Sequence, residues 1–84
     1  MKKVILYTTD PCARCGNAKS LLSQRGIEYE EVNLTKDPVG RAELAQRTGL
    51  MTFPQIVIED RTLGGLDDLR AAVADGRLSQ LLAV

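Results

Sequence analysis

The run Lys3 to Tyr7, with Val4-Ile5-Leu6-Tyr7 apolar, constrains the fold most and predicts a short strand. Extended, it places apolar side chains on both faces, so it belongs inside a sheet rather than at an edge. Asp10-Pro11 then interrupts the strand and suits a helix entry, where the missing proline N–H has no intrahelical partner to lose. Over residues 13 to 25, Ala18, Leu21 and Leu22 share one face, Lys19 and Gln24 point outward, and Gly26 supplies a stop. The spacing predicts a strand leading directly into a helix.

The alternation from Ile27 to Leu34 predicts a second strand with one exposed face. Asp37-Pro38 marks another helix entry, and Val39, Ala42, Leu44 and Ala45 give a short helix ending before Gly49. Gln55 to Glu59 and Thr62-Leu63 predict two strands joined at Asp60-Arg61. After Gly64-Gly65, the residues Leu66, Leu69, Ala72 and Val73 recur at helical spacing, and Gly76 breaks the chain before a last helix around Leu78 to Leu82. The order β-α-β-α-β-β-α implies an α/β fold with a mixed four-stranded sheet flanked by helices. Its first half needs a right-handed parallel crossover and its second an antiparallel hairpin.

With 84 residues the chain has room for one core, so a single domain over 1–84 is expected. Eleven Lys+Arg balance eleven Asp+Glu, which removes any overall field for nucleic acid or an anionic membrane. The longest apolar stretches, Val4 to Tyr7 and Leu81 to Val84, fall far short of the roughly 20 residues of a membrane helix. Lys2-Lys3 precedes an apolar run too short for a secretory signal, so the expected location is cytoplasmic.

The only two cysteines, Cys12 and Cys15, lie within Pro11-Cys12-Ala13-Arg14-Cys15. A separation of three puts both on one helix face, where they can form a disulfide. At the first helical position, Cys12 would meet unpaired N–H groups and the positive end of the helix dipole. Such settings lower a thiol from about 8.5 to roughly 3.5–7.5, and the thiolate is the nucleophile. Cys15, one turn deeper, is the natural resolving thiol. A closed zinc site normally takes four Cys or His ligands, whereas this chain has two cysteines and no histidine, so no metal site is expected. A structural clip over so short a loop removes little unfolded-chain entropy. A reactive dithiol is the reading these residues favour. Arg14 would support the Cys12 thiolate and Asp10 oppose it; a plain solvated surface charge is an equal reading of Arg14. Lys19 reads as a solvent-facing helix residue.

The segments "ILYTTDPCARC", "TFPQIVI" and "GGLDDL" resemble, in order and spacing, the glutaredoxin family, and within it the small bacterial dithiol members. The resemblance implies a thioredoxin-like fold. It also implies a glutathione-dependent thiol–disulfide oxidoreductase acting on protein disulfides or protein–glutathione mixed disulfides, with Cys12 as nucleophile and Cys15 resolving. Glutathione would be a co-substrate, with no tightly bound cofactor, and the protein a monomer. Thr52-Phe53-Pro54 is similar to the family's Thr-Val-Pro, which implies a cis Pro54 and backbone hydrogen bonds from Phe53 to the glutathione cysteine. From Pro54 alone, a trans proline opening an edge strand is the commoner reading. Gly65, Asp67 and Asp68 are similar to the family's Gly-Gly-x-Asp-Asp, which meets the γ-glutamyl group. Read by itself, Asp67 is more often a helix cap than a ligand contact, and the two neighbours can divide those roles.

The chain departs from the family in its charges. Thr9 stands where a lysine is common, Ala13-Arg14 replaces Pro-Tyr, and Leu50-Met51 replaces a basic or polar residue. Gln46 or Arg47 would be the substitutes for the missing carboxylate-binding charge, with helix-surface placement as the alternative. Two other activities stay open: a thioredoxin-like electron donor recharged by a flavoprotein reductase, and a [2Fe–2S] carrier ligated by Cys12 of two chains and two glutathiones.

Overall fold

In the computed structural model, which describes residues 1–83, the order is β1 (Val4–Thr8), α1 (Ala13–Gln24), β2 (Glu30–Asn33), α2 (Pro38–Thr48), β3 (Gln55–Ile58), β4 (Arg61–Gly64), α3 (Leu66–Ala74) and α4 (Arg77–Leu82). Val84, the end of the last apolar run, lies outside the described residues. The four strands form one mixed sheet in the order β2-β1-β3-β4. β1 pairs parallel with β2 (Tyr7 opposite Val32) and antiparallel with β3 (Leu6 opposite Ile56), while β3 and β4 form the antiparallel hairpin. β1 is thus interior, as its two apolar faces require.

Strand alternation divides the core in two. Val4, Leu6, Ile56 and Ile58 face one layer, packing with Ala18 and Leu22 of α1, Leu66, Leu69 and Ala72 of α3, and Leu78 and Leu82 of α4. Tyr7 and Val57 face the other way, onto Leu44 of α2 and Leu34. These two layers fix the ends of β1 and β3, and the loops that leave those ends carry the cysteines and Pro54.

The structure corrects several boundaries. α1 begins at Ala13, because Cys12 takes the extended N-cap conformation. β2 covers only Glu30–Asn33; residues 27–29 form a connector in which the Ile27 N–H donates to Leu22 O at 2.9 Å, using a backbone group a strand would have paired. The hairpin turn is Glu59-Asp60, not Asp60-Arg61, since Ile58 pairs with Arg61 and Glu59 takes the positive φ of 55°. Of the apolar residues assigned to α2, Leu44 is buried, whereas Val39 is 67% exposed. α2 covers its sheet face with a narrow stripe, and Val39 and Ala42 fall outside that stripe. α2 is capped by the Asp37 carboxylate, which accepts from the Gly40 N–H at 2.8 Å, and ends at Gly49 in the left-handed conformation.

Candidate active site

Cys12 leaves β1 through Thr9-Asp10-Pro11 and stops at the N-cap of α1, with φ −157° and ψ 97°. There its sulfur accepts the Cys15 N–H at 3.1 Å. The two cysteines are disulfide-bonded, with Cα atoms 5.3 Å apart. Cys12 is half-buried and Cys15 is only 2% exposed, so an incoming group reaches the Cys12 sulfur first. Once the bond is reduced, an N-cap sulfur facing helix N–H groups is favoured as thiolate, and the first turn of α1 holds no acidic residue to oppose it. The expected first-helical-position thiol is therefore an N-cap thiol, with the same sign of stabilisation.

The second wall is the loop before β3. The Phe53 carbonyl oxygen lies 3.9 Å from the Cys12 sulfur, and the Phe53-Pro54 peptide is cis. This loop is fixed from within by Gln55, a fully buried amide. Its Nε2 donates to Leu50 O (3.1 Å) and Thr52 O (2.9 Å), and its Oε1 accepts from Thr48 Oγ1 (2.9 Å). In the sequence Gln55 is only the first residue of a strand; its one signal is a polar residue opening the otherwise apolar Gln-Ile-Val-Ile.

Gly65 closes the third side. A Cβ there would come within 3.5 Å of Pro54 O, so the α3 entrance approaches the proline loop closely. The neighbouring aspartates divide their roles: Asp68 Oδ2 accepts from the Gly65 N–H at 2.9 Å and caps α3, while Asp67 reaches Arg14 across the gap at 3.1 Å. Cys12, Phe53, Pro54 and Gly65 are thereby assembled from three separate loops, with Asp67 tied to them through Arg14.

The charges around the sulfurs are mostly engaged elsewhere. Arg14 is spent on Asp67, so its charge is shared rather than aimed at Cys12 alone. The Asp10 carboxylate accepts from Asn33 Nδ2 at 2.9 Å and the Asp10 N–H donates to Thr35 Oγ1 at 2.7 Å, which anchors the loop carrying Cys12 to the β2–α2 connection. Thr9 is half-buried and brings no charge. Lys19 is not simply solvent-facing: its ammonium lies 2.8 Å from Glu31, which also accepts from Thr8 Oγ1 at 2.7 Å. The Lys19 hydrogen bond, helped by Thr8, holds the Glu31 carboxyl below its usual value, and the same contact raises Lys19.

Gln46 and Arg47 stay exposed on α2. The cation beside Phe53 is Arg41, lining with Ala45, Leu50, Met51 and Phe53 a cleft of about 280 Å³. Arg41 donates to Thr35 O at 2.8 Å and to Leu34 O, and it pairs with no carboxylate among the described residues. Spacing along α2 did not reveal which of its basic residues turns toward the loop.

The glutaredoxin family model matches residues 4–63. A glutaredoxin of Pseudomonas aeruginosa is 42% identical over 83 residues, covering 99% of each chain. The solution structure of a glutaredoxin from Brucella melitensis superposes with a TM-score of 0.86 at 44% identity, over 98% of this chain and 89% of that one. The crystal structure of a buckwheat glutaredoxin–glutathione complex superposes at 0.87 with 28% identity, over 96% and 76%. With a cysteine pair at a helix N-cap, a proline loop against the Cys12 sulfur and full-length likeness to these proteins, the chain belongs to the glutaredoxin family of thiol–disulfide oxidoreductases.

Proposed function

We propose that the protein reduces protein disulfides and protein–glutathione mixed disulfides with glutathione as its electron source. The observation that carries this reading is the setting of Cys12: an accessible N-cap sulfur receiving the Cys15 N–H, beside the Phe53 carbonyl. The Cys12 thiolate attacks one sulfur of the substrate disulfide, forms a new S–S bond and expels the other sulfur as thiolate. Exchange of this kind needs the attacking, central and leaving sulfurs near a line. The edge of the Phe53-Pro54 loop offers unpaired main-chain groups along which an extended substrate backbone aligns.

A protein mixed disulfide is resolved when Cys15, as thiolate, attacks the Cys12 sulfur and releases the reduced substrate. The product of that step is the Cys12–Cys15 disulfide. Two glutathiones restore the dithiol and leave as glutathione disulfide. When the mixed disulfide is with glutathione, an external glutathione thiolate replaces Cys15.

The glutathione reading is supported by the likeness to a glutaredoxin whose structure contains glutathione and by the charges around the cleft. Phe53 and Pro54 bind the cysteinyl backbone, Gly65 admits the γ-glutamyl arm, Asp67 receives its ammonium, and Asp68 holds the α3 entrance open by capping it. Arg41 supplies the cation for the glycyl carboxylate that Thr9 lacks. The protein works as a monomeric single domain.

Turnover of a glutathionylated peptide is to be compared with two recycling systems: glutathione plus glutathione reductase, and thioredoxin reductase without glutathione. The proposal expects turnover with the first and little with the second. The reverse pattern would assign the protein to the electron donors served by a flavoprotein reductase.

A further inference from the structure

Arg14 and Asp67 join the two sides of the cleft. Arg14 lies between the cysteines in the first turn of α1, and Asp67 lies in the first turn of α3; Arg14 Nη2 and Asp67 Oδ2 are 3.1 Å apart. Arg70, from the next turn of α3, stands 3.7 Å from the other Asp67 oxygen. Arg14 and Asp67 side chains are 52% and 78% exposed, so solutes reach both charges.

A guanidinium and a carboxylate in contact form the complement of an amino-acid head group, whose ammonium and carboxylate share one carbon. Binding such a group exchanges one internal ion pair for two intermolecular ones. An exposed ion pair is weak, so it opens at little cost, and the planar guanidinium fork suits a carboxylate.

We propose that Arg14 is a specificity-determining residue that binds the α-carboxylate of the γ-glutamyl group while Asp67 binds its ammonium. The proposal rests on the glutathione reading above and adds a residue to it. It gives the arginine between the cysteines a task beyond tuning the thiolate.

The test uses three peptide mixed disulfides: with glutathione, with its 4-aminobutyryl analogue, which lacks only the α-carboxylate, and with its glutaryl analogue, which lacks only the ammonium. Wild type is expected to prefer glutathione over the 4-aminobutyryl analogue by about fivefold in kcat/KM, the scale of one exposed ionic contact. Arg14→Gln should bring that ratio close to one and leave the glutaryl discrimination at least as large as in wild type, since Asp67 then has no internal partner to give up, and Arg14→Lys should restore most of the first ratio. Asp67→Asn should do the converse. A general effect of Arg14 on the Cys12 thiolate changes all three substrates alike and cancels in the ratios.

An Arg14→Gln variant that keeps the wild-type preference overturns the proposal, even where Asp67→Asn abolishes the glutaryl discrimination and so upholds the glutathione reading. A wild type indifferent to both deletions overturns the reading and the proposal together.

Discussion

The Cys12 sulfur lies 3.9 Å from the Phe53 carbonyl oxygen, across 41 positions of the chain. What keeps the carbonyl there is Gln55, whose amide ties together Thr48, Leu50 and Thr52. Gln55→Leu keeps the apolar bulk and strips the Leu50 and Thr52 carbonyls of their donor, while the Thr48 hydroxyl keeps Leu44 O as acceptor. Loss of such buried partners costs about 2–4 kcal/mol. Urea unfolding should register that loss, and kcat/KM should fall about tenfold as the loop loosens.

The Lys19–Glu31 contact gives a pH-dependent contribution whose sign follows from the shifts. Glu31 is lowered below its ordinary 4.5, so its contribution is present above that pH and disappears as pH falls through the folded value. Lys19 is raised above 10.5, so the same contact persists below that pH and is lost as pH rises through the folded value. Both shifts describe one contact and count once. Because the side chains are 38% and 32% exposed, the contact is worth only about 0.5 kcal/mol. Glu31→Gln should therefore be less stable than wild type at neutral pH by about that amount, and the difference should vanish as pH falls through the folded Glu31 value. Urea midpoints followed from neutral into acid pH measure the difference.

Two glycines should respond in opposite directions. Gly64 has φ +129°, and a Cβ there would run into the Asp68 carboxyl that caps α3. Gly64→Ala should cost about 2–3 kcal/mol through backbone strain and a displaced cap. Gly16 lies inside α1 with nothing within 4 Å of its would-be Cβ. Gly16→Ala should stabilise by about 0.5–1 kcal/mol, because alanine loses less backbone entropy in a helix. Thermal or urea unfolding of the two variants gives both signs.

These residues also mark where sequence is informative. The apolar faces of Val4 to Tyr7 settle the interior position of β1, and the spacing of Cys12 and Cys15 identifies the dithiol, because both depend on local periodicity. Gln55 reads as one polar residue in an apolar run; its function depends on a loop closing back on it. Arg14 and Asp67 are 53 positions apart in sequence, and only the approach of α3 to the CxxC turn makes them partners. The extra residues expected in β2 were misleading because Ile27 is buried by a connector as well as it would be by a strand. Arg41 and Arg47 are the same residue type and differ in their place on α2, Arg41 near its start and half-buried, Arg47 in its last turn and exposed.

In the proposed mechanism Cys12 attacks and Cys15 resolves. Intact-mass and peptide mapping of Cys15→Ser after exposure to a glutathionylated peptide tests it most directly. The prediction is one glutathione on Cys12, with turnover retained when glutathione is supplied, and neither adduct nor turnover in Cys12→Ser. A Cys12→Ser protein that carries glutathione on Cys15 and turns over at the wild-type rate would contradict it.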